Sequence, residues 1–214
     1  FNNSPSNWYP LDLTFIVNEE EKTLKNRFYQ LLKDCKFFDC LVAYFYISGF
    51  HELYKALENT EKIRILIGIG TDKETYNLIK AAKSNSERLS HFETKQEIEN
   101  VIEAEVSDSE DTPETENGIR KFVEWLKEGK IQIRAYPSQK LHAKLYIFTF
   151  KEGDKDVGRV ITGSSNLTQA GLEYNLEFNV ELKNRSDYEF AKDKFEELWS
   201  DAVDLSETYI QTIN

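Results

Sequence analysis

The stretch from Phe38 to Gly70, FDCLVAYFYISGFHELYKALENTEKIRILIGIG, decides the fold. Phe38 to Tyr46 is too apolar, and too rich in β-branched and aromatic residues, to lie half exposed. It reads as a buried strand. Ser48 is placed to cap a helix over about Phe50 to Leu57, and Ile63 to Gly70 is the next buried strand. Thr71 and Asp72 then cap a further helix reaching Lys83. Strand, helix, strand, helix is the rhythm of an α/β sheet, whose ligands gather at the strand ends.

Outward from that core, residues 19–34 (EEEKTLKNRFYQLLKD) carry Leu24, Phe28, Leu31 and Leu32 at helical spacing behind an acidic first turn. On the other side the chain turns polar and acidic. Ser107 to Asn117 (SDSEDTPETEN) has no apolar periodicity and reads as the centre of a mobile segment over about 105–118. A helix resumes with Ile119, Phe122, Val123 and Leu126 on its buried face, and Gly129 stops it. From Ile131 strands dominate: IQIRAYP, HAKLYIFTF, a turn through Glu152, Gly153 and Asp154, RVITGS, then LEFNVEL. Ser186 is placed to cap a last helix, with Tyr188, Phe195, Leu198 and Trp199 facing the sheet. No internal repeat is present, so 1–214 reads as a single domain.

Composition narrows the function classes. With 40% hydrophobic and 30% charged residues, the 214-residue chain is of ordinary globular type. Its formal charge is −11, but ten acidic residues between Glu93 and Glu116 stand against Lys95 alone, so −9 sits in that segment and −2 in the rest. Outside the segment, charge therefore does not exclude nucleic acid, and no basic footprint argues for it. Cys35 and Cys40 read as a reduced pair, which suits a cytoplasmic protein better than a disulfide framework. No apolar run approaches the ~20 residues of a spanning helix. The chain opens without Met on a polar stretch, as a piece of something longer would.

One constellation carries chemistry. His142 and Lys144 stand two apart at the start of a strand, so both point to one face. The next strand ends in Gly163-Ser164-Ser165-Asn166, and Glu177 follows eleven residues after Asn166. Metal-free phosphoryl transfer needs such a set. A neutral imidazole attacks phosphorus to form a phosphohistidine, a carboxylate orients the imidazole, and ammonium, amide and hydroxyl hold the phosphate oxygens. His142 is the nucleophile in this reading, and Glu177 the orienting carboxylate. Lys144, Ser164 and Asn166 bind phosphate, and Gly163 lets backbone approach the ligand.

HxK followed by GSxN and then Glu resembles the phospholipase D superfamily, whose His-Lys-Asp motif defines a phosphodiesterase site. The resemblance implies the family's fold: a mixed β-sheet flanked by helices on both faces, one motif per chain. The family's Asp, five residues after the Lys, is Thr149 here. That departure resembles a branch with restriction endonucleases and repair-type nucleases, which also lacks the Asp. DCLVAYFYISGF, KIRILIGIGTDKE, GIRKFVEWLKEGKIQIRAYP and LHAKLYIF are together similar to the N-terminal phospholipase D-like domain of certain bacterial superfamily 2 helicases.

The resemblance implies a metal-independent nuclease acting on DNA, without cofactor or membrane partner, as the N-terminal module of a helicase-type protein. Its alternative is a DNA-binding or targeting domain that does not cut. Any ATP-binding motor would lie elsewhere in the parent protein, because no GxxxxGK[ST] loop occurs here. Single-motif relatives resemble half-enzymes, which implies a homodimer with His142 of each subunit facing one shared site.

Overall fold

A computed structural model describes residues 14–19, 22–43, 45, 47–68, 113–136 and 141–213. Its centre is an eight-stranded sheet of order β1-β7-β6-β5-β2-β3-β4-β8. In chain order these are β1 (Phe15–Ile16), β2 (Cys35–Val42), β3 (Lys62–Gly68), β4 (Ile131–Tyr136), β5 (Leu145–Phe150), β6 (Gly158–Gly163), β7 (Asn179–Leu182) and β8 (Val203–Asp204). The middle pairs β2–β3 and β3–β4 are parallel, and all other adjacent pairs are antiparallel.

Helices cover both faces, as the sequence implies. On one face α1 (Leu24–Leu32), α2 (Ile47–Leu53), α3 (Pro113–Lys127) and α5 (Ser206–Ile213) pack over Phe38, Cys40, Ile63, Ile65, Ile133, Tyr146 and Phe148. The Phe28 ring of α1 meets Tyr146 and Phe148 edge-on, centroids 4.9 and 5.1 Å away, a favoured aromatic geometry. On the other face α4 (Arg185–Asp201) lays Tyr188, Ala191, Phe195 and Trp199 on Leu41, Leu66, Ile147 and Val160. Alternation along β2 sends Phe38, Cys40 and Val42 to the first face and Leu41 to the second.

The α4 face also buries charge. Asp39 is 1% exposed and accepts from Arg64 Nε at 2.5 Å and from Lys192. Arg64 reaches Glu196 at 2.9 Å and lies 4.9 Å over the Phe195 ring. Each ion thus has a partner, the condition for burying it. Cys35 and Cys40 are buried and free, and removal from water pushes the Cys35 thiol up to about 12.

Element ends differ from the sequence expectations. α1 starts at Leu24, not within the acidic run, because Thr23 caps it: Asn26 N donates to Thr23 Oγ1 at 3.1 Å. α2 begins before Phe50 and gives way to turns after Leu53. α3 starts at Pro113, so residues 113–117, expected in the mobile segment, are helical. Gly129 does terminate α3, with φ 71°. Asn184, not Ser186, is the N-cap residue of α4. The helix expected from Thr71 to Lys83, His91 and most of the acidic segment lie outside the described residues. So do Tyr44, Tyr46 and the Ser48 side chain, whereas Phe45 is buried against Phe122 and Tyr209.

Candidate active site

Strand pairing gathers the candidate residues at one end of the sheet. The registers Leu145↔Thr162 and Gly163↔Asn179 align the start of β5, the end of β6 and the start of β7. Leu41↔Leu145 and Leu41↔Leu66 bring the C-terminal ends of β2 and β3 to the same edge. His142 and Lys144 lie before β5, Ser164 and Asn166 after β6, and Glu177 before β7. All five therefore stand where open sheets place their ligands.

His142 and Lys144 are not strand residues, contrary to the alternation argument. β5 begins only at Leu145, and the Lys144 carbonyl accepts from the Thr162 hydroxyl at 2.8 Å. His142 is exposed and Lys144 half-buried. The ammonium's hydrogen bond runs to the His142 carbonyl at 3.5 Å.

Ser164 and Glu177 come together directly. Ser164 Oγ donates to Glu177 Oε2 and accepts from the Phe178 amide at 3.0 Å. Asn175 Nδ2 donates to the other carboxylate oxygen at 3.4 Å. The hydrogen-bond partners of Glu177 are thus Ser164 and Asn175, and His142 is not among them. Asn166 Oδ1 is buried with no hydrogen-bond partner among the described residues. Such an orphan is costly in a folded chain and marks a group that awaits one.

Beneath this layer lies a buried polar knot that the motif reading missed. Asn179 Nδ2 donates to Ser165 Oγ at 2.9 Å, and the Ser165 amide donates to Asn179 Oδ1 at 3.4 Å. The Tyr146 hydroxyl donates to the Ser165 carbonyl at 2.7 Å. Tyr146, Ser165 and Asn179 are each 0% exposed. No sequence signal pointed to it: in FNVEL the apolar Phe178, Val180 and Leu182 alternate with Asn179 and Glu181, a pattern that reads Asn179 as outward, whereas the two polar residues are the buried ones. Gly163 has a different reason from the one expected. A Cβ there would stand 2.3 Å from the Phe178 carbonyl oxygen and 2.5 Å from Asn179 Oδ1, so the chain itself, not a ligand, fills that space.

Thr149, where the motif Asp would fall, is far from this layer. It sits near the other end of β5, with Oγ1 2.7 Å from the Tyr188 hydroxyl on α4. Five residues of strand put roughly 16 Å between it and Lys144. Apolar side chains border the site instead: Tyr174, Leu176 and Phe178 flank Glu177 at 62–69% exposure, and Phe15 stands opposite Val180 on the edge strand. Among the described residues no His, Cys, Asp or Glu cluster is placed to hold a metal, and no helix is long and apolar enough to cross a membrane.

Comparison with known proteins places this architecture. The domain family described as "Cardiolipin synthase, PLD-like domain" matches residues 28–199. No curated protein matches. Among solved structures, phosphatidylserine synthase from Haemophilus influenzae Rd KW20 superposes with a TM-score of 0.50 at 13% identity, over 90% of this chain and 39% of its own. NucT from Helicobacter pylori gives 0.48 at 13%, covering 89% and 96%. Nuc from Salmonella typhimurium, a phospholipase D family member, gives 0.47 at 17%, covering 89% and 95%. At 13% identity the likeness to phosphatidylserine synthase speaks for the fold alone. The family match spans β2 through α4, including every strand that delivers a site residue: this chain belongs to the phospholipase D-like family.

Proposed function

We propose that this chain is a metal-independent phosphodiesterase that cuts DNA through a phosphohistidine. The observation that carries the reading is the convergence of His142, Lys144, Ser164, Asn166 and Glu177 on one sheet edge, with His142 exposed. In the first step an imidazole nitrogen of His142 bonds to phosphorus and the bond to the leaving oxygen breaks. That oxygen takes a proton from a second imidazole. In the second step water, giving its proton back to that imidazole, attacks phosphorus and releases His142. Lys144 and Asn166 hold the non-bridging oxygens.

One chain offers one such histidine, so the second comes from a second copy in a homodimer. The exposed Leu176 and Phe178, adjacent in sequence to Glu177, support this, since large apolar side chains left exposed beside a site suit contact with a partner. Glu177 is assigned the carboxylate that orients an imidazole. In the single chain it is held by Ser164 and Asn175, and the contact with a histidine forms when the shared site is complete. Placement as the N-terminal module of a helicase-type parent rests on sequence resemblance. So does the alternative of a targeting domain that binds DNA without cutting.

Solution mass together with cleavage of plasmid and single-stranded DNA in EDTA tests the reading. We expect a dimer that cuts, and a folded His142→Ala variant with no cleavage. EDTA-resistant cutting by that variant overturns the mechanism. Salt-dependent binding without product moves the function to targeting.

A further inference from the structure

Asn179 lies outside the motif, yet its side chain governs the backbone that presents two motif residues. Ser164 and Asn166 flank Ser165, which is buried with every polar group it owns engaged. Its amide goes to Asn179 Oδ1 at 3.4 Å, its hydroxyl accepts from Asn179 Nδ2 at 2.9 Å, and its carbonyl accepts from Tyr146 at 2.7 Å. A residue pinned at N–H, C=O and side chain has little freedom to rotate, and its neighbours inherit that fixity. Asn179 Oδ1 also occupies the volume a Cβ at position 163 would need, so the Gly163 end of the turn is moulded to the same side chain.

The clamp stands on rigid parts. Asn179 pairs in register with Gly163 on β6 and Ile16 on β1. The Tyr146 ring is wedged against Phe28 with centroids 4.9 Å apart. Burial raises the Tyr146 hydroxyl well above its ordinary pKa, which keeps it a donor across the working pH range. Above the clamp Ser164 is exposed, while Asn166 is half-buried, its Oδ1 buried and without a hydrogen-bond partner among the described residues.

We infer that Asn179, acting through Ser165 with Tyr146 as second anchor, is the positioning residue that aims Ser164 and Asn166 into the site. The inference rests on the phosphodiesterase reading for its kinetic consequence but not for its structural one. Asn179 touches no substrate. It fixes the turn before substrate arrives, so binding need not order it, and mis-aiming a catalytic group by about 1 Å costs on the order of 100-fold in rate.

The test compares Asn179→Ala, Ser165→Ala, Tyr146→Phe and Asn166→Ala, and Asn179→Ala combined with each of Ser165→Ala and Asn166→Ala. Cleavage of bis(4-nitrophenyl) phosphate in EDTA is measured per folded molecule, beside amide hydrogen exchange at Ser165. We expect Asn179→Ala to lower kcat about 10- to 100-fold with KM within about threefold, and to speed Ser165 exchange at least tenfold. In the Asn166→Ala background the same substitution should cost less than in wild type, because one of the two groups it aims is gone and only Ser164 is left to mis-aim. A purely structural role predicts a lower melting temperature with kcat per folded molecule unchanged, and that result overturns the inference. If Asn179→Ala does not fold, Tyr146→Phe and Ser165→Ala carry the same kinetic and exchange expectations. If the wild-type chain leaves the diester intact the phosphodiesterase reading fails, while unchanged Ser165 exchange in the variants independently removes the clamp.

Discussion

The two ends of β5 carry polar groups in opposite states. At the Lys144 end His142 is exposed and, among the described residues, the Lys144 ammonium donates to a backbone carbonyl at 3.5 Å and the Asn166 oxygen has no partner. At the Thr149 end the hydroxyl is matched to Tyr188 at 2.7 Å, and on the same sheet face Asp39 is matched to Arg64 and Lys192. Folding alone favours the second state, because an unmatched polar group forfeits hydration without return. Unspent hydrogen-bonding capacity therefore separates these two ends of β5, even though both carry residues that look equally polar in sequence.

The contrast can be broken hardest at Asp39. Removing its carboxylate leaves Arg64 and Lys192 against an apolar layer without their buried counter-charge, and such losses cost about 3–5 kcal/mol. Asp39→Ala should therefore lower the urea midpoint sharply, while the folded fraction retains wild-type cleavage per molecule. A midpoint shift below about 1 kcal/mol would mean that the pair is nearly balanced by its desolvation, and that α4 is held by Phe195 and Trp199 instead.

Lys144 should behave in reverse. It is half-buried and among the described residues its ammonium has no side-chain hydrogen-bond partner, so Lys144→Ala should leave the melting temperature within about 2 °C of wild type. If it steadies developing phosphate charge, the rate falls about 100- to 1000-fold. Equal losses of stability and rate would place Lys144 among the scaffold residues.

How much of this division was legible in the sequence differs by element. The apolar run Phe38–Tyr46 marks a strand that the fold sets at Cys35–Val42, and Ile63–Gly70 one described over Lys62–Gly68, because continuous burial leaves a continuous apolar record even where it misplaces an end. The two-residue β1 and β8, α5 and the π-helix (Ala170–Tyr174) escaped notice, since distant contacts create them. The π-helix and its exit, for instance, are tied by Asn18, whose amide donates to the Gly171 and Asn175 carbonyls, both at 2.9 Å. In the site, residue types and spacing named His142, Lys144, Ser164, Asn166 and Glu177. The pairing of Ser164 with Glu177, and of Ser165 with Asn179, depends on strand register, which no local pattern encodes.

The smallest expected effect is the sharpest test of the contrast. Thr149 occupies the position of the family's Asp, and a motif reading predicts that restoring the acid should help catalysis. The geometry predicts otherwise. Roughly 16 Å of strand separates the residue from Lys144, and its hydroxyl is spent on Tyr188. Thr149→Val should cost about 1 kcal/mol, the worth of one neutral hydrogen bond with its partner left half-satisfied, and should not alter the cleavage rate. Thr149→Asp should likewise leave the rate unchanged, since its carboxylate would accept from the Tyr188 hydroxyl at the wrong end of the strand. A rate gain of tenfold or more in Thr149→Asp would show that the two ends are coupled through β5, and that the scaffold end is part of the machinery.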